Sequence, residues 1–447
     1  MSRIRWRRLS TAAAAAALAV GALTALPAAQ ASAATTADAA TTSTVATTAT
    51  GSTFVSYDAF IQATAAARYG STASVEGSMM KADTSAFTQM QQYILAHYRG
   101  VEVKHSYLLD GAYFDCVVTT TQPSVRDLGI TRLATAPAAP ATASKAGQHT
   151  AAQAAPGAKD AFGNAIACPA GTIPMRRMTL EETARFPSLA AYLGKQPAGM
   201  AQPTVSPAAN SHRYGVGYQS VANTGSNSWL NLWNVSGDFS LSQLWDVSQA
   251  STTQTLEAGW IHYPAKFGTN NSVLFIFWTP NNYASGCYDL DCSGFVQTSS
   301  AATLGAGFTN YSTSGGTQWG FGLQYEWYQG NWWLFYSGTA LGYYPGSIYS
   351  GGPLNSGSAN LIEYGGEAYT AGTSWPQMGS GAFASGGFGY AAYQNTIFYI
   401  DTTGTSQWAS LSPIVTNPNC YTLGITPASS GGSWGSYIFF GGPGGNC

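Results

Sequence analysis

Residues 317–338 read TQWGFGLQYEWYQGNWWLFYSG, two aromatic-rich runs bounded by Gly, Asn and Ser with no 3.6-residue apolar period. Short alternating or aromatic runs of this kind, closed by turn residues, are strand signals. The same texture recurs outward from them, in SVLFIFWT (272–279), ANLIEYGGEAYT (359–370) and NTIFYID (395–401). From His212 to the C-terminus the sequence therefore predicts one all-β domain of about 235 residues, an antiparallel β-sandwich of jelly-roll type. Its many Trp and Tyr residues suit a thick inter-sheet core, with an aromatic-lined cleft as the functional alternative.

Composition excludes several classes. Charged residues are 9% of the chain, against about 25% in an average soluble protein. With 18 Lys and Arg against 20 Asp and Glu there is no basic excess to neutralise phosphates, so nucleic acid is not an expected partner. Charge divides unevenly at His212. Beyond it lie nine acids and two bases, Arg213 and Lys266. A domain so poor in cations accumulates little positive charge on acidification, and is suited to low pH.

The N-terminus opens with MSRIRWRRLS, a short Ala-rich apolar stretch and AAQASA, which reads as a secretory signal over 1–33. No later run approaches the roughly 20 apolar residues of a membrane span, so a secreted, extracellular, monomeric protein without membrane association is expected. An Ala/Thr linker (34–50) follows. Residues 51–195 form a small α+β unit, in which Phe87, Met90 and Ile94 share a helix face capped by Thr84 or Ser85, and VEVKHSYLLDGAYFDCVVTT (101–120) is a hairpin. An Ala/Pro-rich insert (134–160) is expected to be disordered, and 196–211 is a linker suited to processing. Export makes the six cysteines disulfide partners. Of 15 possible pairings, nearest-neighbour pairing gives Cys116–Cys168, Cys287–Cys292 and Cys420–Cys447. It would let the two segments separate after a cut.

Elimination narrows the chemistry. A nucleophile–His arrangement needs a histidine, and the C-terminal domain has only His212, at its boundary, and His262. With the cysteines in disulfides there are too few ligands for zinc, so no metal or cofactor is expected. Two carboxylates whose environments separate their pKa values could divide general-base and general-acid roles. In TQTLEAGWIHY (253–263), alternation puts Glu257, Gly259 and Ile261 on one face and Trp260 and His262 on the other, with Gly259 leaving space beside the carboxylate. In ANLIEYGGEAYT, Gly365 and Gly366 suggest a bulge that re-aims Glu367, with Glu363 a rival of the same parity. Asp289 and Asp291, in the tight Cys287–Cys292 loop, are expected to be exposed. Two carboxylates and aromatic residues would equally serve a glycosidase, and a non-catalytic glycan-binding module is a third reading.

TLEAGW, FIFWT, GCYDLDCSGFVQ, GNWWLFY, LGYYPGSIY, YGGE and QMGSG, in that order over 212–400, resemble the neprosin family of secreted glutamic, proline-specific endopeptidases. FDCVVTTTQPSVRD and CPAGTIPMRR resemble that family's activation-peptide region, here interrupted by the Ala/Pro insert. The resemblance implies a β-sandwich, a pro-domain that inhibits its own enzyme and is released at acid pH, and a catalytic pair. By motif position the pair is Glu257 and Glu367, which sets Glu363 aside. Trp260, Trp278 and Tyr343 become candidates for binding a proline-containing substrate, and Gln377 a candidate oxyanion donor. Glu326, where the family often has Asp, has no assigned role.

Overall fold

The computed structural model describes residues 53–70, 80–138, 149–195 and 212–447. The expected signal (1–33), the Ala/Thr linker (34–50) and the processing linker (196–211) lie outside the described residues. Within 54–447 the upstream part builds a small α+β layer. Its elements are α1 (Tyr57–Ala66), α2 (Thr84–His97), β1 (Val103–Leu109), β2 (Ala112–Val118), α3 (Pro123–Asp127), β3 (His149–Thr150), β4 (Thr172–Arg176), α4 (Leu180–Thr183) and α5 (Leu189–Leu193). The cap of α2 is Asp83, whose carboxylate accepts from the Ala86 amide at 2.8 Å, rather than Thr84 or Ser85. Phe87, Met90 and Ile94 are buried, as their spacing requires. β1 and β2 form the expected hairpin, and β4 pairs with the other edge of β2.

From Arg213 onward the strands are β5 (Arg213–Asn223), β6 (Gly225–Asn231), β7 (Phe239–Gln249), β8 (Thr253–His262), β9 (Val273–Thr279), β10 (Cys287–Tyr288) and β11 (Val296–Gln297). There follow β12 (Trp319–Tyr328), β13 (Asn331–Tyr336), β14 (Thr339–Pro345), β15 (Ala359–Tyr369) and β16 (Ala392–Ile400). The last are β17 (Ser406–Trp408), β18 (Ser412–Val415), β19 (Thr422–Thr426) and β20 (Tyr437–Gly441). They make two antiparallel sheets, ordered β10-β9-β8-β7-β15-β5-β18 and β11-β14-β13-β12-β6-β16-β20-β19, with β17 on β16. Alternation sorts each strand between two environments. Leu256, Ala258 and Trp260 of β8 join Leu244, Tyr325, Trp332, Leu334 and Tyr364 in the inter-sheet core. The opposite face of the first sheet carries Leu241, Trp245, Ile261, Phe275 and Phe277 in a separate cluster, and Glu257 and Glu367 belong to that outer face.

Two expectations are corrected here. The Ala/Pro insert is ordered over its described residues, 134–138 and 149–160: Ala134 and Ala136 pack on the second sheet, β3 pairs in parallel with Trp319 and Gly320 of β12, and the Gln153 amide donates to the carbonyls of Thr303 and Ala306 at 2.6 and 3.1 Å. Main-chain pairing with a sheet edge supplies the order that its small side chains do not. There is also no bulge at Gly365 and Gly366, whose register with β5 and β7 is unbroken. All three nearest-neighbour disulfides form, one upstream and two in the sandwich.

Candidate active site

Three adjacent strands set the floor of the site. Gln243 of β7 stands in register between Gly259 of β8 and Gly365 of β15. A Cβ at Gly259 would lie 2.0 Å from the Ser242 carbonyl, and one at Gly365 2.2 Å from the Gly215 carbonyl. Close backbone approach therefore excludes any side chain at either position. Gly259 thus leaves no open space, contrary to expectation; it lets β7 come close, and the Gln243 amide donates to Glu257 Oε2 at 3.0 Å. The other Glu257 oxygen accepts from Thr255 Oγ1 at 2.9 Å and from the Tyr283 hydroxyl at 2.8 Å. Gln243, Thr255 and Tyr283 thus give the buried Glu257 carboxylate three neutral donors that fix its orientation.

Glu367 lies two residues beyond Gly365 on β15 and is also buried. His212 Nδ1 is 2.5 Å from its Oε1, and the Tyr214 phenol hydrogen-bonds the same carboxylate. Between the two glutamates stands Lys195, just beyond α5. Its Nζ donates to Glu257 Oε2 and to Glu367 Oε2, each at 2.8 Å. The two oxygens are thus separated by no more than two such hydrogen bonds. Burial alone would lower the Lys195 ammonium, but the two carboxylates overcome it and hold it above the ordinary lysine value. Burial alone would raise Glu367, but Lys195 and His212 bring it down to about 2. Glu363, one strand beyond Trp245 from Glu257, is buried on the same face. Desolvation, then the charges of Glu257 and Glu367, push it up to about 8, so it is a neutral acid at low pH.

The structure brings Glu257 and Glu367 together and scatters the other candidates. Trp260 is fully buried in the inter-sheet core, its indole N–H donating to the Asn231 carbonyl, which removes it from any binding surface. Tyr343 lies on the outer face of the second sheet, across the sandwich from the glutamates. Gln377 is half-buried beside Gly381 and is not among the hydrogen-bond partners of either glutamate. Trp278 does reach the site. With Tyr283, Gly286, Leu193 and Lys195 it lines a cavity of about 640 Å³ beside the ion triad.

Asp289 and Asp291 are buried rather than exposed. Lys266, in α6 (Pro264–Phe267), donates to Asp291 at 2.6 Å and to the Tyr192 carbonyl at 2.8 Å. Asp289 accepts from the Ile276 amide, and burial followed by the Asp291 charge pushes it up to about 8. These partners come from distant segments and leave no trace in the local sequence. Among the described residues no group of three or more His, Cys, Asp or Glu converges as a metal site, and no helix is long and apolar enough to cross a membrane.

Two solved structures of scytalido-glutamic peptidase are similar to this chain. One, with a transition-state analogue inhibitor, is 11% identical with a TM-score of 0.30; the other, with a peptide-based transition-state analogue, is 10% identical with a TM-score of 0.28. Each match covers 52% of this chain and 98% of that one. The sequence model of the Neprosin family matches residues 236–443, a span that includes Glu257, Glu367, Gln243 and Tyr283. Residues 236–443 of this chain therefore match the Neprosin family.

Proposed function

We propose that the chain is the zymogen of a secreted acid endopeptidase that cleaves at proline, with Glu257 and Glu367 as its catalytic pair and residues 51–195 as its internal inhibitor. The observation that carries this reading is the single ammonium, Lys195 Nζ, held at 2.8 Å from both carboxylates. It occupies the point at which a water molecule would hydrogen-bond both. With Lys195 in place there is no room for that water, and the pair is latent.

Withdrawal of Lys195 divides the roles. Glu257 keeps its three neutral donors, which orient it as the general base. Glu367 loses the ammonium that, with His212, held it down, and burial then raises it from its closed-form value toward the protonated form. Glu257 takes a proton from the water as its oxygen attacks the scissile carbonyl carbon. Glu367 hydrogen-bonds the carbonyl oxygen and then the tetrahedral oxyanion. On collapse the proton held by Glu257 passes to the departing nitrogen, the C–N bond breaks, and both glutamates return to their starting states. Gln243, between its two glycines, fixes the orientation of Glu257. Proline-containing chains are extended and preordered, which suits them to the aromatic wall of Trp278 and Tyr283.

Acid release follows from the sign of the Glu367 shift. A carboxyl lowered from 4.5 to about 2 in the closed form stabilises that form above pH 4.5, and the contribution is lost as pH falls toward 2. The test uses an internally quenched proline-containing peptide. Full-length protein held at about pH 3 should cleave it, and the Glu257→Gln and Glu367→Gln forms should not. Wild-type turnover by either variant removes that residue from the pair.

A further inference from the structure

We propose that the outer face of the second sheet is a second binding site, specific for Ala/Pro-rich polypeptide in the polyproline II conformation and filled in this chain by its own residues Leu133–Ala138. Along β13, Trp332 and Leu334 point into the inter-sheet core while Trp333 and Phe335 point outward. Tyr343 of β14 stands beside Trp333 with ring centroids 4.8 Å apart, and Val296 of β11 completes the platform. Left bare, it would be an apolar patch of the kind that marks a binding surface. Val125, Ile130, Leu133, Ala134 and Ala136 cover it.

The form of the cover identifies the ligand. Residues 133–138, LATAPA, have no helix or strand assignment. Arg132, Thr135 and Ala138 are exposed, whereas Leu133, Ala134, Ala136 and Pro137 are half-buried. Exposure every third residue is the repeat of a polyproline II helix, which has three residues per turn; a strand would alternate every second. The Ala134 amide donates to the Tyr343 hydroxyl at 3.2 Å. The Trp333 indole N–H is buried and has no acceptor. An indole N–H is a donor only, and a ligand carbonyl placed in the ring plane at its Nε1 edge would satisfy it. An extended chain with a bulkier proline in place of Ala136 would cover more of the rings, while position 134 must keep the amide N–H that the Tyr343 hydroxyl accepts. The platform lies across the sandwich from Glu257 and Glu367, so a chain held there leaves the glutamates free. The binding site stands without the peptidase reading; only its service to substrate rests on that reading.

The test is made at pH 7 on full-length Glu257→Gln protein, so that cleavage plays no part. Residues 132–138 are replaced by a Gly/Ser stretch of equal length to uncover the platform, and a proline decamer, a peptide of sequence LATAPAAP and a Gly/Ser decamer are titrated calorimetrically. The first two should bind saturably, with Kd of about 10 µM to 1 mM. The Gly/Ser decamer should not bind, the covered chain should bind none of the three, and Tyr343→Phe should weaken LATAPAAP about 2–10-fold while leaving the proline decamer, which has no amide N–H to offer, nearly unchanged. If the replacement perturbs folding, Leu133→Asp with Ala136→Asp uncovers the same face. No saturable binding to an uncovered chain of normal circular dichroism and melting would overturn the site. So would equal affinity for the Gly/Ser decamer, or LATAPAAP binding that is indifferent to Tyr343→Phe.

Discussion

Lys195→Met removes the cation from a triad in which all three side chains are buried, and leaves two carboxylates facing each other without it. Breaking a buried ion pair by deleting one partner costs about 3–5 kcal/mol. The pH term sets an upper bound of similar size: Lys195 and His212 together hold Glu367 at about 2 instead of 4.5, which contributes about 3 kcal/mol to the closed form at neutral pH. At about 1.4 kcal/mol per tenfold, the closed-to-open ratio should fall by a factor of about 10² or more. The acid dependence of opening should also weaken. In the wild type the closed form binds fewer protons than the open form, so acid opens it. In the Met variant only His212 is left to hold Glu367 down, so the closed and open forms differ less in bound protons and opening depends less on acid. The assay is hydrolysis of a quenched proline-containing peptide from pH 2 to 8, with electrophoresis to follow cuts within 196–211. A Met variant as latent at pH 7 as the wild type, with the same acid midpoint, would refute the lysine latch.

Asp246 is fully buried between the sheets, and desolvation raises it from 3.8 to about 7 against a single hydrogen bond from Ser226. The folded state keeps that proton while the unfolded state loses it, so stability falls as pH rises from about 4 to 7, by about 4 kcal/mol for this group. Asp246→Asn should therefore raise the melting temperature at pH 7 and leave it nearly unchanged at pH 3; equal effects at both pH values would sink the assignment. Tyr283→Phe deletes one donor to Glu257 and should lower kcat about tenfold with KM little changed, as read from steady-state kinetics. Cys420→Ser with Cys447→Ser opens a loop spanning 27 residues and should cost about 3 kcal/mol in denaturant titration, a difference that vanishes if the wild type is reduced first.

Strand parity around Glu257 was legible from residues 253–263, because it depends only on alternation along one chain. The glutamate pair was not: it required motif resemblance to choose Glu367 over Glu363, which shares its parity and its burial. Gln243 and Tyr283 carry no local signal, since a β-register and a turn beyond β9 bring them to Glu257. Lys195 did leave a trace, as the last cation before the expected processing segment. What a sequence read alone could not supply was its partner pair, 62 and 172 residues away. The aromatic candidates failed for a related reason. Trp260 follows Glu257 by an odd number of residues, so alternation had already placed it on the core face, whereas Tyr343 belongs to the other sheet altogether.

The central claim, an acid peptidase worked by Glu257 and Glu367, is tested most directly by mass-spectrometric mapping of new termini in a proteome-derived peptide library. Wild-type protein preincubated at about pH 3 is compared with its Glu257→Gln form. The account predicts cuts clustered at proline with the wild type and none with the variant. Identical cuts from both, or none from acid-treated wild type shown to have released its upstream region, would contradict it.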